Sequence, residues 1–176
     1  MRIITGKYKG RRFDIPRSFK ARPTTDFAKE NIFNVLNGYV DFDGAVALDL
    51  FSGTGSITLE LLSRGCAHVT SVEMDRDHHR FICDCLQKLG ASEGLPVRGD
   101  VFRFLASCHQ QFDFIFADPP YALPQLSTLP DLVVGGGLLK ENAVFVLEHG
   151  KEHDFSQHPH FVEHRAYGSV NFSIFR

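Results

Sequence analysis

From residue 44 onwards, short apolar runs alternate with amphipathic stretches. Ala45-Val46-Ala47-Leu48-Asp49-Leu50 reads as a buried strand, and Ser56 to Ser63 as the helix after it. His68 to Glu73 is a second strand, and Asp77 to Leu89 a second helix. Leu95 to Gly99 is a short third strand, Phe112 to Ala117 a fourth and Ala143 to Glu148 a fifth. Phe161 to Tyr167 and Val170 to Phe175, joined near Gly168-Ser169, form a terminal hairpin. Strand–helix alternation implies right-handed crossovers and a doubly wound, mostly parallel α/β sheet. The terminal hairpin adds an antiparallel edge to it.

The first forty residues follow another pattern. Arg2 to Thr5 and Tyr8 to Phe13 flank Gly6-Lys7, which suits a small β-hairpin. Arg22-Pro23-Thr24-Thr25-Asp26 supplies a turn, and Thr24 or Thr25 caps a helix over 26–38. Its apolar positions, Ala28, Ile32, Val35, Leu36 and Tyr39, recur at helical spacing. The expected organisation is a basic arm over 1–22 and a doubly wound α/β domain over 23–176.

Composition agrees with a single packed domain. The chain has 176 residues, of which 43% are apolar, enough to build a core without staples. No run approaches a membrane span, and Met1 to Lys7 hold no apolar signal core. Cys66, Cys83, Cys85 and Cys108 show no paired metal spacing, so reduced thiols in a cytoplasm are expected. The net charge of −2 conceals an asymmetry. Residues 1–30 carry nine basic and three acidic groups, +6, and the remainder carries −8. A basic arm on an acidic body suits a polyanion partner, with Lys7, Lys9, Arg11 and Arg12 as the candidate contacts.

In a doubly wound sheet, ligands bind beyond the carboxyl ends of the strands. Asp49-Leu50-Phe51-Ser52-Gly53-Thr54-Gly55 follows the first strand. The pattern begins like a dinucleotide loop, but Thr58 stands where the third glycine would be. Glu73-Met74-Asp75 ends the second strand; Glu73 is about 20 residues past the glycines, the spacing of an acid that takes ribose hydroxyls. Asp75 reads as a helix cap. Asp100, with Val101 beside it, accepts an adenine amine or caps a helix. Asp118-Pro119-Pro120-Tyr121 follows the fourth strand. Two prolines fix the backbone and remove two donors, so carbonyls and the Asp118 carboxylate face outward as acceptors. Tyr121 offers a ring on which a base stacks. Acceptors around a flat ring suit an exocyclic amine.

Asp-Pro-Pro-Tyr after an Asp-x-Phe-x-Gly-x-Gly loop resembles the methyltransferases that act on exocyclic amines of adenine, cytosine or guanine. Four further segments narrow this: Arg2-Ile3-Ile4-x-Gly6-Lys7-Tyr8-Lys9-Gly10-Arg11, Arg22-Pro23-Thr24-Thr25-Asp26, Val72-Glu73-Met74-Asp75, and Tyr167-Gly168-x-Val170-x-Phe172. With them, the chain resembles the RsmD family along essentially its whole length. That resemblance implies an S-adenosylmethionine-dependent enzyme methylating N2 of one guanine in bacterial 16S rRNA, within a small-subunit particle. It implies that Asp49, Phe51, Ser52, Gly53, Thr54 and Gly55 line the methionine and sugar portions of the cofactor. Glu73 and Met74 hold the ribose side, Asp100 and Val101 flank the adenine, and Arg22, Thr24 and Thr25 lie at the methionine end. Asp118, Pro119, Pro120 and Tyr121 receive the guanine. A monomer without metal or membrane is expected. A DNA adenine-N6 methyltransferase shares the tetrapeptide but carries a separate target-recognition region. A non-catalytic nucleic-acid-binding protein on this fold is opposed by the intact glycine loop, Glu73 and Asp118. No cysteine follows the fourth strand, which opposes a cysteine nucleophile. His153, His158, His160 and His164 read as solvated residues of a polar loop and edge strand.

Overall fold

The computed structural model describes residues 1–176. Helix α1 (Asp26–Leu36) precedes β1 (Val46–Leu50), α2 (Ser56–Ser63), β2 (His68–Glu73), α3 (Arg76–Leu89) and β3 (Gly94–Arg98). Then come α4 (Val101–Ser107), β4 (Phe112–Ala117), α5 (Leu129–Val133), β5 (Leu139–His149), β6 (Phe161–Tyr167) and β7 (Val170–Phe175). The seven strands lie in the order β3-β2-β1-β4-β5-β7-β6. The β5–β7 and β6–β7 pairs are antiparallel and the others parallel. This is the doubly wound sheet with an antiparallel carboxyl-terminal edge that the periodicity predicts. No helix is long and apolar enough to cross a membrane.

Two cores form, one on each face of the sheet. Phe114 and Phe116 of β4 and Val144 and Val146 of β5 join the core under α1, α2 and α3. Ile115, Ala117, Phe145 and Leu147 join the opposite core under α4 and α5. The same period of two has a consequence at the strand ends. Asp49, Asp118 and Glu148 share the parity of Ala47, Phe116 and Val146, so all three acids belong to the α1–α3 face.

Local chemistry explains the helix starts. The Thr25 hydroxyl accepts from the Ala28 N–H at 3.2 Å and so caps α1. Asp75 caps α3 through the N–H groups of Asp77 and His78. Asp100 caps α4 through the Arg103 N–H at 3.0 Å. Helix α2 starts from Gly55 in the left-handed region, at φ +81.

The arm is a short hairpin with an added contact at its tip. Its sides run antiparallel about Arg2 and Arg12, with the Ile3 N–H donating to the Arg11 carbonyl, the Gly10 N–H to the Ile3 carbonyl and the Phe13 N–H to the Met1 carbonyl. Its tip also bonds to α2: the Lys7 N–H donates to the Ser63 carbonyl and the Tyr8 N–H to the Ser63 hydroxyl. A Cβ on Gly6 would lie 1.9 Å from the Ser63 carbonyl oxygen, so only glycine allows this approach. Ile3 and Phe13 are buried in the same core as Ile32 and Leu59.

Behind the arm lies a buried ion pair. The Glu60 carboxylate accepts from the N–H groups of Ile4 (2.8 Å) and Thr5 (3.1 Å) and from Arg64 Nε (2.9 Å). Lys29 Nζ lies 3.6 Å from it and donates to the Arg2 carbonyl (2.7 Å) and the Ser56 hydroxyl (2.9 Å). Both side chains are fully buried. Burial pushes the Lys29 amine below its ordinary pKa, and the charge of Glu60 opposes that shift.

Two helices, α4 and α5, and the first four residues of β5 lie outside the predicted elements. Helix α4 has seven residues and α5 five, too short to show a period. The start of β5 is exposed and polar, Lys140-Glu141-Asn142, and hides the strand.

Removing one partner of the buried pair leaves an uncompensated charge. Glu60→Ala is expected to lose about 3–5 kcal/mol of stability, read as a lower denaturant midpoint at an unchanged slope.

Candidate active site

A cleft of about 840 Å³ opens at the carboxyl edge of the sheet. Its walls come from the turns after β1, β2, β3 and β4, the end of β5 and the returning arm. Arg22, Thr24, Asp49, Phe51, Ser52, Gly53, Thr54, Glu73, Met74, Asp100, Val101 and Asp118 to Tyr121 all line it. Thr25 and Gly55 do not. Thr25 caps α1, and Gly55 turns the chain into α2 against Ile82.

The glycine loop is held from two sides. Glu73 Oε1 accepts the Gly53 N–H at 2.8 Å, and Oε2 accepts the Asp75 N–H at 2.8 Å. The Ser52 hydroxyl donates to the Asp49 carbonyl at 2.8 Å. Phe51 sits at φ +57, a left-handed conformation that costs a non-glycine residue about 1–3 kcal/mol and recurs at ligand sites. Beneath the loop, the Thr58 hydroxyl donates to Asp49 Oδ2 at 2.7 Å. The residue that breaks the dinucleotide pattern therefore serves the acid before the loop.

At the adenine side, Phe102 meets Phe51 edge-on with centroids 6.2 Å apart. Met74 stands 65% exposed at the rim. Asp100 spends one oxygen on the α4 cap while lining the cleft, so the two readings of this residue are compatible.

At the other end, the β4–β5 register sets Ala117 opposite Leu147, which places Asp118 beside Glu148. The Tyr121 hydroxyl donates to Glu148 Oε2 at 2.8 Å. Burial first, then the neighbouring Glu148, pushes Asp118 well above the usual carboxylate range. Burial pushes Asp49 up to about 7; the Thr58 hydrogen bonds oppose this and the charge of Glu73 adds to it. Burial and Glu148 also raise Tyr121, so its hydroxyl stays a donor.

Glu148, Phe102, His78, Lys20 and Ala21 line the cleft without having been singled out in the sequence. Glu148 carried a readable signal, since it ends a strand as Glu73 does. The others carried none, because their approach depends on the fold.

The basic arm takes an unexpected path. Helix α2 starts at the cleft and ends at the opposite edge of the sheet, where the arm's tip packs on Ser63. Lys7 and Lys9 are therefore exposed away from the cleft, and Arg11 reaches the Lys88 carbonyl at 3.4 Å near the end of α3. The chain then returns along α3. Phe19 packs on His78 at 4.6 Å, and Lys20 and Arg22 reach the cleft. The Arg22 guanidinium braces this stretch through the Phe19 carbonyl at 2.7 Å.

His160 and His164 are exposed, as the polar loop and edge strand predict, and His153 and His158 are half-buried. His158 pairs with Asp131 at 2.8 Å, and His164 with the Asn171 side chain at 2.9 Å. His149 is buried between Gly150 and Ser173. No group of three or more His, Cys, Asp or Glu side chains could hold a metal ion.

The strand order, the loop after β1 and the acids at successive strand ends define a class I methyltransferase fold. A solved structure of a hypothetical protein from Thermus thermophilus superposes with a TM-score of 0.87 at 27% identity, covering all of this chain and 99% of that one. The chain belongs to the RsmD family, whose model, described as Conserved hypothetical protein 95, matches residues 1–176. It is 34% identical over 148 residues to the ribosomal RNA small subunit methyltransferase D of Escherichia coli K12, covering 84% of this chain and 74% of that protein. The protein of that name from Haemophilus influenzae is 33% identical over 156 residues, covering 86% of this chain and 80% of that protein.

Asp49 yields a pH prediction. Its folded pKa lies above its unfolded value, so it weakens folding as pH rises from about 4 through 7. Three units at 1.36 kcal/mol each bound the effect at about 4 kcal/mol. Asp49→Asn should therefore be more stable than wild type at pH 8 and equal to it near pH 4, measured by denaturant titration at both values.

Proposed function

We propose that this protein transfers a methyl group from S-adenosylmethionine to the exocyclic N2 amine of one guanine in bacterial 16S rRNA, presented in a small-subunit particle. The observation that carries the reading is the gathering of acceptors at one end of the cleft. Asp118, the Pro119 carbonyl and Glu148 stand beside the Tyr121 ring, on a backbone stiffened by two prolines. The names of the Escherichia coli and Haemophilus influenzae relatives support a small-subunit RNA substrate.

The cofactor fits the other end. A cleft of about 840 Å³ accommodates an adenosine with a methionine chain. Its acids suit a ligand with a sulfonium and an ammonium. Glu73 is placed to accept ribose hydroxyls, Asp100 an adenine amine, and Val101, Phe102 and Met74 to cover the ring. Ser52, Gly53 and Thr54 form the backbone cradle, and Arg22 and Thr24 border the methionine end. When bound, the cofactor supplies an electrophilic methyl group and departs as S-adenosylhomocysteine with the electron pair of the broken carbon–sulfur bond.

The protein's own part is to position and to accept. Asp118 and the Pro119 carbonyl take the amine's N–H groups and leave its lone pair free to form the new nitrogen–carbon bond. Tyr121 stacks on the flipped base. The surplus N2 proton leaves along the hydrogen bond to Asp118. Burial and Glu148 favour the protonated acid; amine donors and a nearby positive charge shift it back towards the carboxylate. Alignment of the reacting atoms accounts for most of the rate, about 7–11 kcal/mol for well-oriented partners.

The decisive experiment incubates the protein and labelled S-adenosylmethionine with undermodified small subunits, naked rRNA and DNA. Label is expected in the RNA of the small subunits, and label in DNA alone would overturn the reading. Asp118→Ala should bind the cofactor almost as wild type does, by calorimetry, while turnover falls by orders of magnitude. RNA affinity should rest on the arm and on Lys20 and Arg22. Neutralising Lys7, Lys9, Arg11 and Arg12 is expected to reduce the slope of log K against log salt by about 0.7–0.9 for each phosphate those side chains neutralise, with cofactor affinity unchanged.

A further inference from the structure

Glu148 has a feature that amine positioning does not use. The side chain is 6% exposed and lines the cleft next to Asp118. One oxygen, Oε2, accepts the Tyr121 hydroxyl. The other, Oε1, is buried and has no N–H or hydroxyl donor in the protein; the Asp118 carboxyl beside Glu148 can share a proton with this carboxylate only while Asp118 is protonated. An unpaired buried acceptor costs about 1–3 kcal/mol, and more when charged. Once Asp118 turns to accept a substrate amine as a carboxylate, Oε1 needs a donor from the ligand.

The fold leaves this oxygen little freedom. Glu148 is held in β5 between the parallel partner β4 and the antiparallel partner β7, opposite Phe172. The Tyr121 hydroxyl fixes the carboxylate plane from one side. Asp118 occupies the neighbouring strand end. Two acid side chains therefore stand side by side on one face of the sheet, both next to the ring of Tyr121.

Two adjacent acceptors select among the bases. Guanine presents two contiguous donors, N1–H and the N2 amine. Adenine places a bare N1 acceptor beside its N6 amine, and cytosine a bare N3 acceptor beside its N4 amine. With the amine on Asp118 and the Pro119 carbonyl, the ring nitrogen faces Glu148. For guanine this is a hydrogen bond to a carboxylate. For adenine or cytosine it sets lone pair against lone pair, in a site with little water to relieve it.

We propose that Glu148 is the specificity-determining residue, reading N1–H of the target guanine through its free Oε1. This rests on the reading given under Proposed function and supplies a physical basis for N2 of guanine over N6 of adenine. Tyr121 then has two duties: its ring stacks on the base and its hydroxyl orients the reader. Withdrawing the N1 proton towards Glu148 also enriches the ring in electron density, which favours attack by N2.

The test uses small subunits reconstituted with 16S rRNA carrying either guanine or 2-aminopurine at the nucleotide mapped by the labelling experiment. 2-Aminopurine keeps the N2 amine but has a bare N1 acceptor. Wild type is expected to methylate the 2-aminopurine particle with kcat/KM lower by roughly 100-fold or more. Glu148→Gln, whose amide can donate to N1, should shrink that ratio by about tenfold or more while losing activity on guanine. A loss caused by the missing O6 would not respond to this substitution. Equal wild-type rates on the two particles, or an unchanged ratio in Glu148→Gln, would overturn the role of Glu148 and leave the methyltransferase reading intact. Absence of methylation on the guanine particle would remove both. Should Glu148→Gln fail to fold, Tyr121→Phe keeps the ring and frees the carboxylate, and should narrow the same ratio; a ratio equal to wild type would count against the proposal.

Discussion

The buried Lys29–Glu60 pair is the contact on which the placement of the active site depends. Glu60 sits in α2, the helix that begins at the glycine loop, and grips the backbone of Ile4 and Thr5. Lys29 sits in α1 and reaches both the Arg2 carbonyl and the Ser56 hydroxyl, the first residue of α2. Three segments far apart in sequence therefore meet at one point directly behind the loop. Two buried charges are not a cheap way to stabilise a fold, and well-packed apolar residues often match them. What the pair supplies is geometry. Its hydrogen bonds are directional, so arm, α1 and α2 are held in a single arrangement. A slipped arm would strand the Ile4 and Thr5 N–H groups and the Arg2 carbonyl that the pair holds.

A second constraint comes from the sheet. Side chains alternate between faces, and the parity of β1, β4 and β5 sends Asp49, Asp118 and Glu148 to the same one. The acids reinforce one another: the neighbouring carboxylate raises Asp118, and Glu73 raises Asp49. The cleft thus holds acids that resist ionisation. The protein's net charge of −2 says little about this arrangement. Acid side chains cluster at the cleft, and basic side chains lie along an arm that runs from the far edge of the sheet to the cleft rim.

The mostly parallel sheet with its antiparallel edge, the glycine loop, the Glu73 strand end and the Asp118 to Tyr121 turn are legible in the sequence. Each is a local pattern: a run of apolar residues, a pair of glycines, two consecutive prolines. The short helices α4 and α5 were not, because five or seven residues do not complete two turns. The polar start of β5 gave no alternation to follow. Thr25 was read both as a cap and as a cofactor contact, and the structure gives it the cap. The arm's hairpin follows from its alternating residues, but the contact of its tip with Ser63, more than fifty residues away, does not.

By itself, then, the chain determined its strands, their crossovers and the chemistry carried at their ends, since those follow from local periodicity and from residues adjacent in sequence. Only the tertiary structure decided which strand ends stand next to each other. Register between β4 and β5 pairs Asp118 with Glu148, thirty residues apart in sequence, and leaves one oxygen of Glu148 without an N–H or hydroxyl donor. Packing on α2 turns the tip of a basic arm away from the cleft and brings Lys20 and Arg22 to it. Both outcomes depend on hydrogen bonds and packing between distant segments, which no local pattern encodes.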